Sequence, residues 1–376
     1  MRFRVERDVL AEAVTWTARS LPTRPPVPVL AGVRIEADSQ GTVQLSSFDY
    51  EVSARSEIAA DVAEGGTVLV SGRLLAEIAR ALPAKPVELA LDGSRVLVTC
   101  GASRFTLLTM PVEDYPALPA MPAEVGVVRG DEFTQAVAQV TVAASRDDTL
   151  PLLTGVRMEI EGDTITLLAT DRYRLALRTL SWTPASPSGS EIALVRARTL
   201  SDAAKSLGTS EQVTVGLSTG AGVDIIGFEA GGRHTTSLLV DGDYPPVRRL
   251  FPTETPIHAV VSTGALVEAA RRVALVAERN TPIRLAFSDG QVVLDAGQGD
   301  DAQASEALEA TLTGEDITVA FNPQYLLDGL GALSTEYVRL AFTHPNKPVE
   351  FTGQTSLDAD DDRSYRYLLV PIRFAS

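Results

Sequence analysis

The sequence predicts an α+β protein made of three copies of one unit, each copy placing two short helices on one side of antiparallel sheets. Three observations lead there. The first is a helical apolar spacing that recurs six times. Leu10, Ala13 and Val14 stand at i, i+3 and i+4, as do Phe133, Ala136 and Val137, and again Leu266, Ala269 and Ala270. The i+7 position is Val140 and Val273 in the later copies and Thr17 in the first, which makes that copy the weakest match. Full i, i+3, i+4, i+7 sets follow at Leu75, Ile78, Ala79, Leu82, at Leu200, Ala203, Ala204, Leu207, and at Leu326, Gly329, Leu330, Leu333. This spacing lays an apolar stripe along one face of a helix, and a repeat at this scale outranks any local pattern.

The second observation is that short alternating runs surround each helix. Residues 33–37 and 42–46 follow the first helix, and 156–160 and 164–167 follow its copy. Runs at 67–70, 191–195 and 317–321 precede the second-series helices, and runs at 87–91, 213–217 and 338–342 follow them. Period-2 alternation with turns such as Glu161-Gly162-Asp163 reads as antiparallel strands with one wet face. Two helices and two sheets share a core most simply with both helices on one side.

The third is punctuation by proline. Pro111, Pro116, Pro119 and Pro122 close the first copy, and Pro245, Pro246, Pro252 and Pro256 close the second. Proline lacks a ladder donor and fixes φ, so such runs form extended connectors. The expected domains are residues 1–123, 124–255 and 256–376. The connectors echo one another in Glu113-Asp114-Tyr115-Pro116 and Gly242-Asp243-Tyr244-Pro245.

Composition narrows the function classes. With 376 residues, 45% hydrophobic and 22% charged, the chain is an ordinary globular one. No apolar run reaches the ~18 residues needed to cross a bilayer, and the charged start MRFRVERDVL is unlike a secretory signal, so a cytoplasmic address is expected. A lone Cys100 forms no internal disulfide, and no Cys or His cluster has zinc spacing, so no metal or other cofactor is expected. His234, His258 and His344 have no recurrent Ser or Asp spacing, and no glycine-rich phosphate cradle occurs, so no catalytic constellation is expected. Gly231-Gly232 and Gly220-Ala221-Gly222 read as hairpin turns, and Asp358-Ala359-Asp360-Asp361-Asp362 as a solvated turn lacking the Gly and Glu of a calcium loop.

The net charge of −16 argues at face value against a nucleic-acid partner. Its distribution argues otherwise: residues 285–338 hold no Lys or Arg, whereas bases gather at the repeat helices. Arg73 and Arg80, Arg196, Arg198 and Lys205, and Arg271, Arg272 and Arg279 are candidates for one cationic surface, with solvated helix charges as the bland alternative.

Across its full length the chain resembles the bacterial DNA polymerase sliding clamps, the beta subunits of the replicative polymerase. The resemblance lies in Arg24-Pro25-Pro26-Val27-Pro28-Val29-Leu30, Thr170-Asp171-Arg172-Tyr173-Arg174-Leu175-Ala176, Asp243-Tyr244-Pro245 with Arg248-Arg249, and Leu368-Leu369-Val370-Pro371-Ile372-Arg373, taken in order with the threefold repeat. It implies a head-to-tail homodimeric ring around double-stranded DNA, with helices lining the hole and strands outside, and a non-enzymatic role in polymerase processivity. Arg24 matches a DNA-contacting arginine of the family.

The resemblance also implies a peptide pocket where the polymerase catalytic subunit, the clamp loader and repair and translesion polymerases dock. Carried over, its lining is Leu153, Thr170, Arg172, Tyr173, Arg174, Leu175, Pro245, Arg249, Leu250, Asn322, Tyr325, Leu368, Val370, Pro371, Ile372 and Arg373. Without the resemblance, Leu153, Leu175, Leu250 and Val370 read as ordinary core. The family loop often carries Gly-His where this chain has Arg172-Tyr173, which adds bulk and charge at the rim. The rival reading is an acidic repeat scaffold that binds proteins only.

Overall fold

The computed structural model describes residues 1–376 apart from 187–188, 221, 278–280, 298–301 and 374–376. The chain forms two compact units: Met1–Asp131 with Thr183–Ser186 and Asp202–Leu239, and Glu132–Trp182 with Pro187–Ser201 and Val240–Ser376. The central sequence repeat therefore contributes to both.

The helices predicted from apolar spacing are α1 Arg7–Ala18, α2 Gly72–Ala81, α3 Gly130–Thr141, α4 Ala197–Leu207, α5 Thr263–Ala274 and α6 Pro323–Gly331. Each of these short segments is marginal as a helix in isolation and depends on burying its stripe. Leu10, Ala13 and Val14, Leu75 and Ala79, and Leu266, Ala269 and Ala270 are at most 2% exposed, and each larger aliphatic side chain so buried contributes about 1.5–3 kcal/mol. Thr17 fits the weak first copy because its hydroxyl donates to the Ala13 carbonyl at 2.9 Å, which leaves its methyl to pack. One expectation shifts: α6 ends at Gly331, so Leu333 lies in the following turn, where its amide bonds Leu330 O.

In the first unit one sheet of fourteen strands runs from Thr183–Pro184 to Asp61–Glu64. Its middle is the pairing of Arg233–Leu238 with Val52–Ala59, Arg233 opposite Ser56 and Ser237 opposite Val52. Helices α1 and α2 bury a core against it with Phe3, Val33, Ile35, Leu45, Val70 and Val98. The Gly231-Gly232 turn joins Ile225–Ala230 to Arg233–Leu238 as expected; Ala221, in the other predicted glycine turn, lies outside the described residues.

The second unit holds sheets of nine and four strands. The nine-stranded sheet is continuous through Arg174–Ser181 beside Asp362–Leu369, with Arg174 opposite Leu369 and Arg178 opposite Tyr365. At one end of the four-stranded sheet Ala304–Glu309 pairs, among the described residues, with Gln291–Ala296 only. The first unit has a comparable opening. Ser103–Met110 follows Arg95–Cys100 along its length but meets Gly66–Ser71 only at Thr109 and Met110, so among the described residues 103–108 keep an open ladder side.

Candidate functional site

The second unit gathers the residues carried over as pocket lining around one tight turn. Between strands Thr164–Thr170 and Arg174–Ser181, the Asp171 Oδ1 accepts the amides of Tyr173 at 3.0 Å and Arg174 at 3.1 Å. That carboxylate clamp holds Arg172 at φ 81°, a left-handed conformation uncommon outside glycine. Thr170 secures the turn from within, its hydroxyl donating to Arg174 O at 2.6 Å and accepting the Arg172 amide at 3.2 Å. The Thr170 amide donates to the Tyr244 phenol at 3.0 Å. Burial pushes that phenol well above its usual range, with the Thr170 amide acting against the shift.

The C-terminal segment closes one side. Past Asp362–Leu369 the Val370 amide donates to Tyr173 O at 2.9 Å, and the Ile372 amide then donates to Ala320 O at 2.8 Å. Pro371 between them is buried, whereas Val370 and Ile372 are 38% and 37% exposed. The one-turn 3₁₀ helix Val247–Leu250, set up by Pro245 and Pro246, supplies Leu250, which is 53% exposed. Leu175 and Leu368 belong to the buried cluster beneath, with Leu153 partly buried against it. Of the four residues with a bland core reading, Leu175 is core, Leu153 is intermediate, and Leu250 and Val370 are exposed.

Arg174 organises the polar floor. Its Nε donates to Asp171 Oδ2 at 3.0 Å and its Nη1 to Asp328 Oδ2 at 2.5 Å, and its guanidinium lies 4.2 Å from the Tyr325 ring centroid. Burial works against its charge, but the Asp328 hydrogen bond and the neighbouring carboxylate of Asp171 outweigh it and raise its pKa. Tyr325 stacks in turn on the exposed Tyr173, with centroids 6.2 Å apart. The Tyr325 carbonyl accepts the Tyr367 phenol at 2.8 Å. Gly329 completes the arrangement, since a Cβ there would sit 2.3 Å from the Tyr367 ring. Asn322 proves to be the N-cap of α6, its side chain accepting the Gln324 and Tyr325 amides, and so it places Tyr325. Arg249 and Arg373 are exposed.

A groove of about 440 Å³ opens beside this stack, lined by Ser145, Arg146, Asp147, Arg172, Tyr173 and Tyr325 among others. Sequence reasoning had not put Tyr244, Asp328, Gln324 or Arg146 among the site residues. Tyr244 carried a signal in the echoed Asp-Tyr-Pro connector; Asp328 and Gln324, on one face of α6, and Arg146 carried none.

The candidate cations are placed as follows. Arg24, Arg196, Arg198 and Lys205 are exposed. Arg73 donates to the carbonyls of Leu21 and Pro22 at 3.3 and 3.1 Å, tying α2 to the segment that leads into Arg24. Arg80 donates to Ala76 O within its own helix. Arg271 pairs with Glu268 at 2.7 Å, and Arg272 holds Glu306 through two hydrogen bonds, an interaction that lowers the Glu306 pKa and raises that of Arg272. Arg279 lies outside the described residues. Among the described residues no group of three or more His, Cys, Asp or Glu side chains is arranged to hold a metal ion.

Architecture and turn geometry together define a protein of the clamp class, and comparison with known proteins fixes the family. The N-terminal, central and C-terminal domains of the DNA polymerase III beta subunit match residues 1–119, 127–246 and 248–373. The chain is 57% identical to a beta sliding clamp of Streptomyces coelicolor, with 100% of both chains covered. It is 62% identical to one of Micrococcus luteus over 83% of this chain and 100% of the relative. Among solved structures, a sliding clamp of Pseudomonas aeruginosa bound to griselimycin superimposes with a TM-score of 0.91 at 27% identity, both chains fully covered. The Bacillus subtilis clamp gives 0.91 at 25% identity, again with both chains fully covered. The chain belongs to the DNA polymerase III beta subunit family, the bacterial sliding clamps.

Proposed function

We propose that two copies of this chain close head to tail into a ring around duplex DNA, confer processivity on the replicative polymerase, and dock partners through the pocket at the Asp171 turn. The observation that carries the ring is a strand edge in each unit that carries side chains suited to pairing. Among the described residues Ala304–Glu309 has a free ladder side, and so does Ser103–Leu108. Unpaired edges are aggregation hazards that proteins cover or close, and a heterologous contact that closes on itself makes a ring. Side chains support this pairing. Phe105 and Leu108 on the first edge are 39% and 69% exposed, and Leu275 just after α5 is 84% exposed. Arg104 on the first edge and Glu309 on the second carry opposite charges.

A ring retains DNA by topology, so its cations need only weak, screened contacts that permit sliding. Arg24, Arg73, Arg80, Arg196, Arg198 and Lys205 suit that role. Arg271 and Arg272 contribute less net field, because Glu268 and Glu306 already pair with them. The pocket suits short linear segments: exposed apolar walls at Leu250, Val370 and Ile372 stand over a rigid polar floor. In this reading the chain is a non-catalytic cytoplasmic subunit with three domains meeting near residues 123 and 255. Its partners are the polymerase catalytic subunit, the clamp loader, and repair and translesion polymerases. No helix among the described residues is long and apolar enough to cross a membrane. A scaffold that binds only proteins is not favoured, given relatives that are themselves named sliding clamps.

Two measurements test the proposal. Native mass spectrometry at micromolar concentration should give a dimer, and a strict monomer would defeat the ring. Protein loaded onto nicked circular DNA should remain bound until the circle is linearised; retention on linear DNA would show ordinary binding instead of encirclement.

A further inference from the structure

We propose that the cavity roofed by residues 355–361 in the second unit is a binding site for an organic cation, a guanidinium or ammonium group on an alkyl stem. It is separate from the pocket at the Asp171 turn and does not depend on that reading.

The cavity exists because one of three repeated turns is longer than its copies. Cys100 stands opposite Ser103 where Arg95–Cys100 turns into Ser103–Met110, and Ala230 stands opposite Arg233 at the corresponding turn of the central repeat. In the third copy Gly353 stands opposite Asp362, with residues 354–361 between them. The extra residues fold back over the sheet. Asp361 Oδ2 accepts the Thr352 hydroxyl at 3.3 Å and Arg363 Nε at 3.0 Å, and lies 3.5 Å from Arg339 Nη1. Strand register sets Thr311, Val260, Arg339 and Thr352 in one cross-strand row. Alternation turns that row away from the face of Phe351 and Tyr367, the latter packed on Gly329 of α6. The space between row and turn is about 340 Å³, lined by His258, Thr313, Gln354, Leu357, Asp358 and Asp360 among others.

Its charges are unequally committed. The Arg339 guanidinium is held by Asp361. Burial, and then Arg339, keep His258 below the usual imidazole range, so it adds no positive charge near neutral pH. Asp358 and Asp360 are exposed and form no ion pair or side-chain hydrogen bond among the described residues. Glu309, Glu315 and Asp316 flank the Thr311–Thr313 strand within a stretch that has no Lys or Arg. The surroundings of the cavity therefore attract positive charge.

A second observation points to a hydrogen-bond donor. Gln354 is 5% exposed and its Nε2 donates to Ala359 O in the turn, which leaves Oε1 with no partner. A buried amide oxygen without a donor is costly, and an N–H entering beside Asp358 and Asp360 removes that cost. Val260 and the half-exposed Leu357 give an alkyl stem an apolar wall. Among the described residues no three His, Cys, Asp or Glu side chains converge on a metal position, which favours a hydrogen-bonding cation over a metal ion.

Ligand-observed NMR titration of the full chain tests this with butylguanidinium, butylammonium and the neutral butylurea. An exposed ion pair is worth up to about fivefold in affinity and two free carboxylates face the cavity, so butylguanidinium should bind about tenfold more tightly than butylurea. Butylammonium should also exceed butylurea. Asp358→Asn/Asp360→Asn should erase the preference, whereas Glu113→Gln/Asp114→Asn, at an exposed acidic pair of the first unit, should leave it. Gln354→Met should weaken butylguanidinium and butylurea alike, because both donate an N–H. An acetylated Gly-Arg-Gly amide that binds at least as tightly as butylguanidinium assigns the site to a side chain of a partner protein; weaker binding assigns it to a free small cation. Equal affinities for butylguanidinium and butylurea, a preference that survives Asp358→Asn/Asp360→Asn, or one lost equally in the first-unit control would overturn the site.

Discussion

Two turns in this molecule, one in each unit, are built alike and end differently. In the first unit Asp49 Oδ1 accepts the amides of Glu51 and Val52, with Tyr50 at φ 76°. In the second, Asp171 does the same for Tyr173 and Arg174, with Arg172 at φ 81°. Each turn opens a strand that pairs across repeats, and each receives one further amide: Leu238 donates to Glu51 O and Val370 to Tyr173 O, both at 2.9 Å. A connector tyrosine is buried near each turn, Tyr115 and Tyr244. Burial pushes the Tyr115 phenol up to about 12, with the Phe48 backbone acting against it.

The difference begins one residue past the turn. Val52 stands where Arg174 does, so the first junction has no buried guanidinium and no Tyr-Arg-Tyr stack. The paired strand then returns to its own hairpin through Leu239 and Asp224, whereas the second continues past Val370 to Ala320. One backbone device thus makes a plain seam in one place and, in the other, the floor of the pocket proposed above for docking. The chemistry lies in the side chains and in where the next strand leads.

The comparison can be broken most severely at Arg174. Arg174→Ala leaves Asp171 and Asp328 without their cation, and losing one partner of a buried ion pair costs about 3 kcal/mol or more. Val52→Ala in the first unit should cost about 1 kcal/mol. Chemical denaturation followed separately in each unit would show the asymmetry, and equal losses would deny Arg174 its organising role.

A second substitution separates docking from scaffolding. Val370→Glu puts a charge on the apolar wall and should weaken binding of a leucine- and phenylalanine-anchored peptide by about tenfold or more, while the native mass stays dimeric. Tyr50→Ala, at the corresponding turn of the first unit, should leave peptide affinity as it was. If Tyr50→Ala weakens the peptide as much as Val370→Glu does, the two turns share a function.

The backbone likeness itself predicts a smaller effect of one sign in both units. Tyr50→Gly and Arg172→Gly each relieve a left-handed non-glycine residue and should each stabilise by about 0.5–1 kcal/mol in urea unfolding. A gain at only one turn would show that the other is held by more than its carboxylate clamp.

The smallest effect is in pH. His258 in the second unit is held below the usual imidazole range by burial and then by Arg339, with Asp361 opposing. The unfolded chain therefore takes up this proton at higher pH than the folded one, so the contribution to stability is present above the unfolded pKa of about 6.5 and is lost as pH falls below it. Thermal unfolding across that window should show a slope that His258→Gln flattens; an unchanged slope would assign it elsewhere.

Much of this was legible beforehand because it is periodic. The stripes of α1 to α6 and the alternation of strands such as Val87–Asp92 and Tyr337–Phe342 need only local spacing to be read. Leu333 misled because the pattern continues beyond Gly331, where the helix stops. In the site, Leu250 and Val370 could not be told from core by composition, since one strand end and one 3₁₀ turn decide their exposure. Asn322, expected as a lining residue, is also the cap of a helix, which its place in the sequence alone did not announce.

By itself the sequence determined the tripled unit, its helices and strands, and through the order of its short segments the family. These are properties of spacing along the chain, and burial of a stripe enforces them wherever the copy stands. Only the tertiary structure decided that the central repeat divides between two compact units, that Asp328 on α6 reaches Arg174 across a distant stretch of chain, and that Ala304–Glu309 and residues 103–108 each keep a ladder side unpaired among the described residues. The physical reason is that pairing between strands far apart in sequence, and the balance of charge it buries, depends on which partners meet. No local pattern records that meeting.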